Sequence, residues 1–224
     1  MEMKILVLED RINHQNDAKE CIVRIKGEIS FTFTSKFSEA VKQLDLYDGV
    51  ISDVFQPREP EDDVDVKEFD FLREKDDVEE ELDYLEELPY GALLVKKALE
   101  KGIPSVLISD AYHHGSKLKR VYHWSSGPKI KAIPLIDNYP EGGKKRWLEA
   151  ILTLIWIIKE VEKGTLIIES GRLINENEKL FLNSVDYFLE LIAERKPLIE
   201  ELKDEFFGGG ALGFSEIVKT YLLP

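Results

Sequence analysis

Three polar stations stand directly after apolar runs in this chain: Glu9-Asp10 after Ile5-Leu6-Val7-Leu8, Asp53 after Val50-Ile51-Ser52, and Ser109 after Val106-Leu107-Ile108. Each run reads as a buried parallel strand. Open α/β sheets assemble their ligand sites at the carboxyl ends of such strands. Brought together there, Glu9, Asp10 and Asp53 would repel one another strongly unless a cation joined them. A ligand set made only of oxygens suits Mg2+, which binds through a few carboxylates and keeps waters for a phosphate. Asp53 could then act as a nucleophile in phosphoryl transfer and form an acyl phosphate, with Ser109 hydrogen-bonding a phosphoryl oxygen. A lone Asp at a strand end is also an ordinary turn residue or helix cap, so the reading depends on the three stations being neighbours.

The elements that must position them follow a strand–helix rhythm. Residues 4–8 form the first strand, and 11–26 a helix carried by Ile12, Ala18, Ile22, Val23 and Ile25 and closed by Gly27. Residues 28–34 alternate Ile29, Phe31 and Phe33 with polar partners, as a second strand does. Ser38 is placed to cap a helix over 39–46. The strand 49–55 delivers Asp53. A helix over 91–101 leads through Gly102-Ile103-Pro104 to the strand 105–109. Residues 110–124 read as a loop with a short basic helix (Lys117, Lys119, Arg120), and 129–136 as a fifth strand broken at Ile133-Pro134. A long apolar helix follows over 144–163. Five strand–helix alternations imply an α/β fold, a doubly wound five-stranded parallel sheet with helices on both faces. The expected organisation is one domain over residues 1–164, interrupted by an acidic insertion at 58–89, and an α-helical C-terminal extension at 165–224. In the extension, a short strand-like run over 165–169 ends at Ser170-Gly171, and helices over 176–193 and on to Phe207, a hinge at Gly208-Gly209-Gly210 and a last helix over 214–223 suggest a cover for the long helix or a homodimer contact.

Charge narrows the partners. The chain has 224 residues and a net charge of -14. Residues 58–87 hold sixteen acidic and four basic side chains, so the acidity belongs to that segment and the rest is nearly neutral. A helical stripe of Val78, Leu82, Leu85 and Leu88 makes it an acidic amphipathic insertion or a docking surface for a basic partner. This balance argues against nucleic acid and against anionic membranes, both of which call for Lys/Arg excess. The most apolar stretch, 148–158, is too short to span a bilayer, which takes about 20 residues. A single cysteine, Cys21, excludes an intrachain disulfide. Met1 leads almost directly into a strand, so no signal peptide is expected, and the reading is a cytoplasmic protein. His113, His114 and His123 do not make a zinc set: adjacent histidines cannot readily face one ion, and no Cys or spaced acid completes them.

The run Leu6-Val7-Leu8-Glu9-Asp10, the run Asp53-Val54-Phe55-Gln56-Pro57 with its Pro four residues after the Asp, the helix opening at Tyr90-Gly91, and Pro104-Ser105-Val106-Leu107-Ile108-Ser109 together resemble the CheY-like receiver domain of response regulators. The resemblance covers roughly residues 3–163. It implies Mg2+ held by Glu9, Asp10, Asp53 and the Phe55 carbonyl, phosphorylation at Asp53, and phosphate sensing by Ser109. It implies a histidine kinase or another protein as partner. It also implies a lysine just before the strand-five proline; Ile133 stands there, and Lys131, two residues earlier on the same strand face, is the candidate for that role. Asp110 stands where a small residue is usual. These two departures motivate a second reading, a pseudo-receiver that binds partners without phosphorylation. A third is an Mg2+-dependent phosphohydrolase with Asp53 as nucleophile and a histidine from 113–123 as general acid.

Overall fold

The structure, a computed structural model, describes residues 2–25, 27–57, 64–72, 87–110, 116–126, 131–136 and 145–174. Continuous apolar runs form the strands β1 (Met3–Leu8), β3 (Gly49–Asp53) and β6 (Ser105–Ile108), and β2 (Ile29–Thr34) and β8 (Leu135–Ile136) complete one five-stranded sheet. The order is β2-β1-β3-β6-β8, and every pairing in it is parallel. That order is consistent with a flavodoxin-like fold, whose ligand crevice opens between the first and third strands.

Alternate residues of each strand enter two cores. Ile5, Val7, Ile51, Val106 and Ile108 pack with α1 (Ile12–Ile22) and α5 (Trp147–Glu162) on one face. Leu6, Leu8, Val50 and Leu107 pack with α2 (Phe37–Gln43) and α3 (Tyr90–Glu100) on the other. Both faces are covered, which is why these strands read as unbroken apolar runs rather than as alternations. Helix α5 is buried all round from Trp147 to Ile158.

Three local expectations are corrected. Helix α2 starts at Phe37 with Lys36 at its N-cap, two residues too early for Ser38 to cap it; the Thr34 hydroxyl accepts the Lys36 N–H instead, at 3.2 Å. The fifth strand breaks at Ile133-Pro134 as expected, but its halves belong to different sheets. Its second half, β8, pairs with β6, whereas β7 (Lys131–Ala132) pairs antiparallel with β10 (Arg172–Ile174) in a separate three-stranded sheet with β9 (Ile167–Glu169). Pro134 has no N–H to give to a ladder, so the chain bends there; its carbonyl still accepts the Leu107 N–H at 2.8 Å. Finally, the segment after Gly164 continues as the β9–β10 hairpin, tied back through β7 and through the Arg172 guanidinium, which donates to the Trp124 carbonyl at 2.8 Å. The helices expected over 176–223, most of the stripe at 76–88, and His113 and His114 lie outside the described residues. The basic helix expected near 117–124 is α4 (Ser116–Ser126).

The insertion is held at both ends. Beyond Asp53, β4 (Gln56–Pro57) pairs antiparallel with β5 (Glu87–Leu88), and the Gly91 N–H donates to the Val54 carbonyl at 3.1 Å. Within the insertion, Val66–Leu72 forms a short 3-10 helix whose Phe69 stacks at a tilt on Tyr90, centroids 5.7 Å apart. Among the described residues, no helix is long and apolar enough to cross a membrane.

Candidate acidic cation site

Sheet register brings the polar stations level. Leu8 lies opposite both Thr34 and Ser52, and Asp53 opposite Ile108, so Glu9-Asp10, Asp53 and Ser109 all emerge at one carboxyl edge. Glu9, Asp10 and Asp53 each offer a carboxylate oxygen, and these oxygens lie within 4.8 Å of one another, a group able to hold a metal ion. Glu9 and Ser109 are fully buried, and Asp53 is 5% exposed.

Glu9 is held from several sides by the turn into α1. Its Oε1 accepts the Arg11 N–H at 3.1 Å, its carbonyl accepts the Gln15 Nε2 at 2.7 Å, and His14 Nδ1 stands 3.4 Å from Oε1. Asp53 Oδ1 accepts the N–H of Val54 at 2.9 Å. That same N–H also reaches the Ile108 carbonyl at 3.1 Å. Phe55, two residues on, is nearly buried.

The site contains a residue that sequence reasoning missed. Lys145, with a side chain only 1% exposed, places Nζ 2.5 Å from Glu9 Oε2 and 2.8 Å from Asp53 Oδ1. Lys131, the lysine expected in this role, lies in β7 of the small sheet, outside the five-stranded one. The signal for Lys145 was present but unread. Lys144-Lys145-Arg146 stands just ahead of the apolar helix α5, and cations oppose the dipole at a helix N-terminus. A lysine kept there needs an acidic partner elsewhere.

One ammonium does not balance three carboxylates. Burial pushes the Asp53 carboxyl up, to about 8; Lys145 pulls it back down, and the charge of Glu9 adds to the rise. The pocket thus carries a surplus of negative charge that it relieves by holding a proton on Asp53. Asp10 Oδ1 is buried without a hydrogen-bond partner, and such an orphaned acceptor is costly unless a cation or donor meets it. The all-oxygen set and this unmet oxygen fit a hard divalent ion. Asp110, the acidic residue beside Ser109, does not point its charge unopposed: Arg11 Nη1 donates to Asp110 Oδ2 at 2.8 Å and Nη2 to Glu87 Oε1 at 3.3 Å. Arg11 therefore straddles the rim between the site and the returning end of the insertion.

Close packing fixes Asp53 from below. A Cβ on Gly91 would lie 1.6 Å from the Asp53 carbonyl oxygen, so only glycine permits α3 to start there. No family model matches this chain, and no curated protein matches it.

Proposed function

We propose that the protein is a divergent receiver: an Mg2+-dependent phosphoacceptor module in which Asp53 takes the phosphoryl group and a histidine kinase or another protein partner is the donor or the reader. The observation that carries this reading is the contact of Lys145 Nζ with Asp53 Oδ1 at 2.8 Å inside a cluster of three carboxylates. Mg2+, held by Glu9, Asp10 and Asp53 with the Phe55 carbonyl as a further oxygen, would supply charge neutralisation for an incoming phosphoryl group. The two sequence departures from the receiver pattern find substitutes. Lys145 supplies the ammonium absent at Ile133, and Arg11 neutralises Asp110. Lys145 would hold the phosphorylated Asp53 as it now holds the carboxylate, and Ser109, at the next strand end, would donate to a phosphoryl oxygen.

A second reading has its own observation. Lys145 already bridges Glu9 and Asp53, and a protonated Asp53 is a poor nucleophile. On this reading the pocket is a structural ion cluster and the module binds partners without phosphorylation. Incubation with Mg2+ and acetyl phosphate followed by intact mass measurement separates the two. A gain of one phosphoryl group, lost in Asp53→Asn, is expected; an unchanged mass overturns the phosphoacceptor reading, and steady release of phosphate without a mass gain would mark a phosphohydrolase.

A further inference from the structure

Arg11 follows β1 and Asp110 follows β6, and β3 lies between those two strands. Glu9 stands level with Asp53, one residue past the Leu8–Ser52 pair, and Ile108 lies opposite Asp53 on the other side. Arg11 and Asp110 are therefore each two residues beyond the level of Asp53, on flanking strands roughly 10 Å apart. Arg11 Nη1 crosses that gap and donates to Asp110 Oδ2 at 2.8 Å, so the pair closes over the end of β3. Nη2 makes a longer contact, 3.3 Å, with Glu87 Oε1. Burial opposes the Arg11 charge, but Asp110, Glu87, Asp10 and Asp53 together raise its pKa above the ordinary value. The guanidinium thus sits in the field of the acidic cluster. Its planar fork of N–H donors matches phosphate oxygens, and a phosphoryl group would extend the Asp53 side chain toward it. Of the two contacts, the one to Glu87 is the exchangeable one. It is the longer, the two side chains are 43% and 27% exposed, and such pairs contribute little.

We propose that Arg11 is a phosphoryl-binding residue of this pocket: Nη1 keeps Asp110 as its anchor, and Nη2 leaves Glu87 for an oxygen of the phosphoryl group on Asp53. Asp110 then has a task beside Ser109, which is to hold the guanidinium over the crevice. Glu87 stands where the insertion returns, on β5 in the ladder with β4. The phosphoryl group and the insertion therefore compete for one cation. Phosphorylation releases Glu87, and a partner that draws Glu87 away frees Arg11 for the phosphoryl group, with equal coupling in both directions. The inference rests on the phosphoacceptor reading of Asp53.

The test uses the full chain with Mg2+ and beryllofluoride, a stable mimic of an aspartyl phosphate, and measures the dissociation constant by titration. Arg11→Gln is expected to weaken binding about tenfold or more, as the loss of a charged hydrogen bond does. Glu87→Gln is expected to tighten it about two- to fivefold, the worth of an exposed ion pair. That gain should disappear when Glu87→Gln is combined with Arg11→Gln, because it acts through the guanidinium; a simple change in local charge would persist. Both side chains are partly exposed, and circular dichroism confirms that the variants fold. Equal affinity in Arg11→Gln and wild type, or a Glu87→Gln gain that survives in the double variant, overturns the inference and leaves Asp53 as the phosphoacceptor. No binding of beryllofluoride by the wild type overturns the phosphoacceptor reading, and the inference falls with it.

Discussion

Lys145 and Glu9 are 136 residues apart in sequence and 2.5 Å apart in the structure, with neither side chain open to solvent beyond 1%. The pair joins the first strand to the last helix of the sheet, and through Asp53 it reaches the central strand as well. A buried ammonium in this position is secure only because carboxylates surround it, and the carboxylates are tolerated only because it is there.

Lys145→Met removes one partner of that arrangement and leaves Glu9 and Asp53 without their cation. A loss of about 3–5 kcal/mol in unfolding free energy is expected, as for other buried pairs broken from one side. Urea denaturation measures it. A loss below about 1 kcal/mol would mean that water reaches the pocket and that the pair behaves as a surface contact.

Stability should depend on pH through Asp53. Its folded carboxyl titrates near 8, far above its unfolded value of 3.8, so between those values the native state holds a proton that the unfolded chain has lost. Unfolding free energy contributed by this group is therefore full below pH 4 and declines as pH rises through about 8. Asp53→Asn removes the dependence. Thermal melts at pH 6 to 9 should show the variant gaining on the wild type toward the alkaline end; parallel curves would contradict the assignment.

A divalent ion should reverse that alkaline loss. Mg2+ or Mn2+ competes with the Asp53 proton, so its stabilising effect grows with pH. At saturating ion, roughly a hundred times its dissociation constant, the expected gain is about 2.7 kcal/mol. Chelation should return the melting temperature to its starting value. An equal shift in Asp53→Asn and Glu9→Gln would place the ion elsewhere.

Gly91→Ala should be among the most damaging single-methyl additions in the chain. The methyl meets a backbone carbonyl at 1.6 Å, so the strand end or the helix must move. A cost of about 1–3 kcal/mol or more is expected from overpacking. Gly102→Ala is the control: its φ of +78° carries a backbone penalty, but nothing lies within 4 Å of the added methyl. If both variants melt alike, the close approach is not the reason for glycine at 91.

The sheet was legible because buried parallel strands write themselves as uninterrupted apolar runs, and the acidic pocket because Glu9, Asp10 and Asp53 stand where those runs stop. Lys145 was not legible by the same logic. It comes from outside any strand, and nothing about the basic run Lys144-Lys145-Arg146 before a helix says which carboxylate its lysine will meet. The division of 129–136 between two sheets also hid from pattern reading. Pro134 marked the break, but the partner of Lys131–Ala132 lies some forty residues later, in a hairpin of which only the first strand, within 165–169, reads as strand-like.

The two-rung ladder between Gln56–Pro57 and Glu87–Leu88 closes the acidic excursion a few residues from Asp53 on one side and from Gly91 on the other, while Phe69 on Tyr90 and the Lys97–Glu68 pair pin its described stretch to α3. A protein that seized the excursion would pull on the backbone next to Asp53 without touching the crevice. Swapping residues 58–86 for a tight turn would leave the five-stranded sheet its full complement of strands but strip Phe69 and Leu72 from the core beside α3.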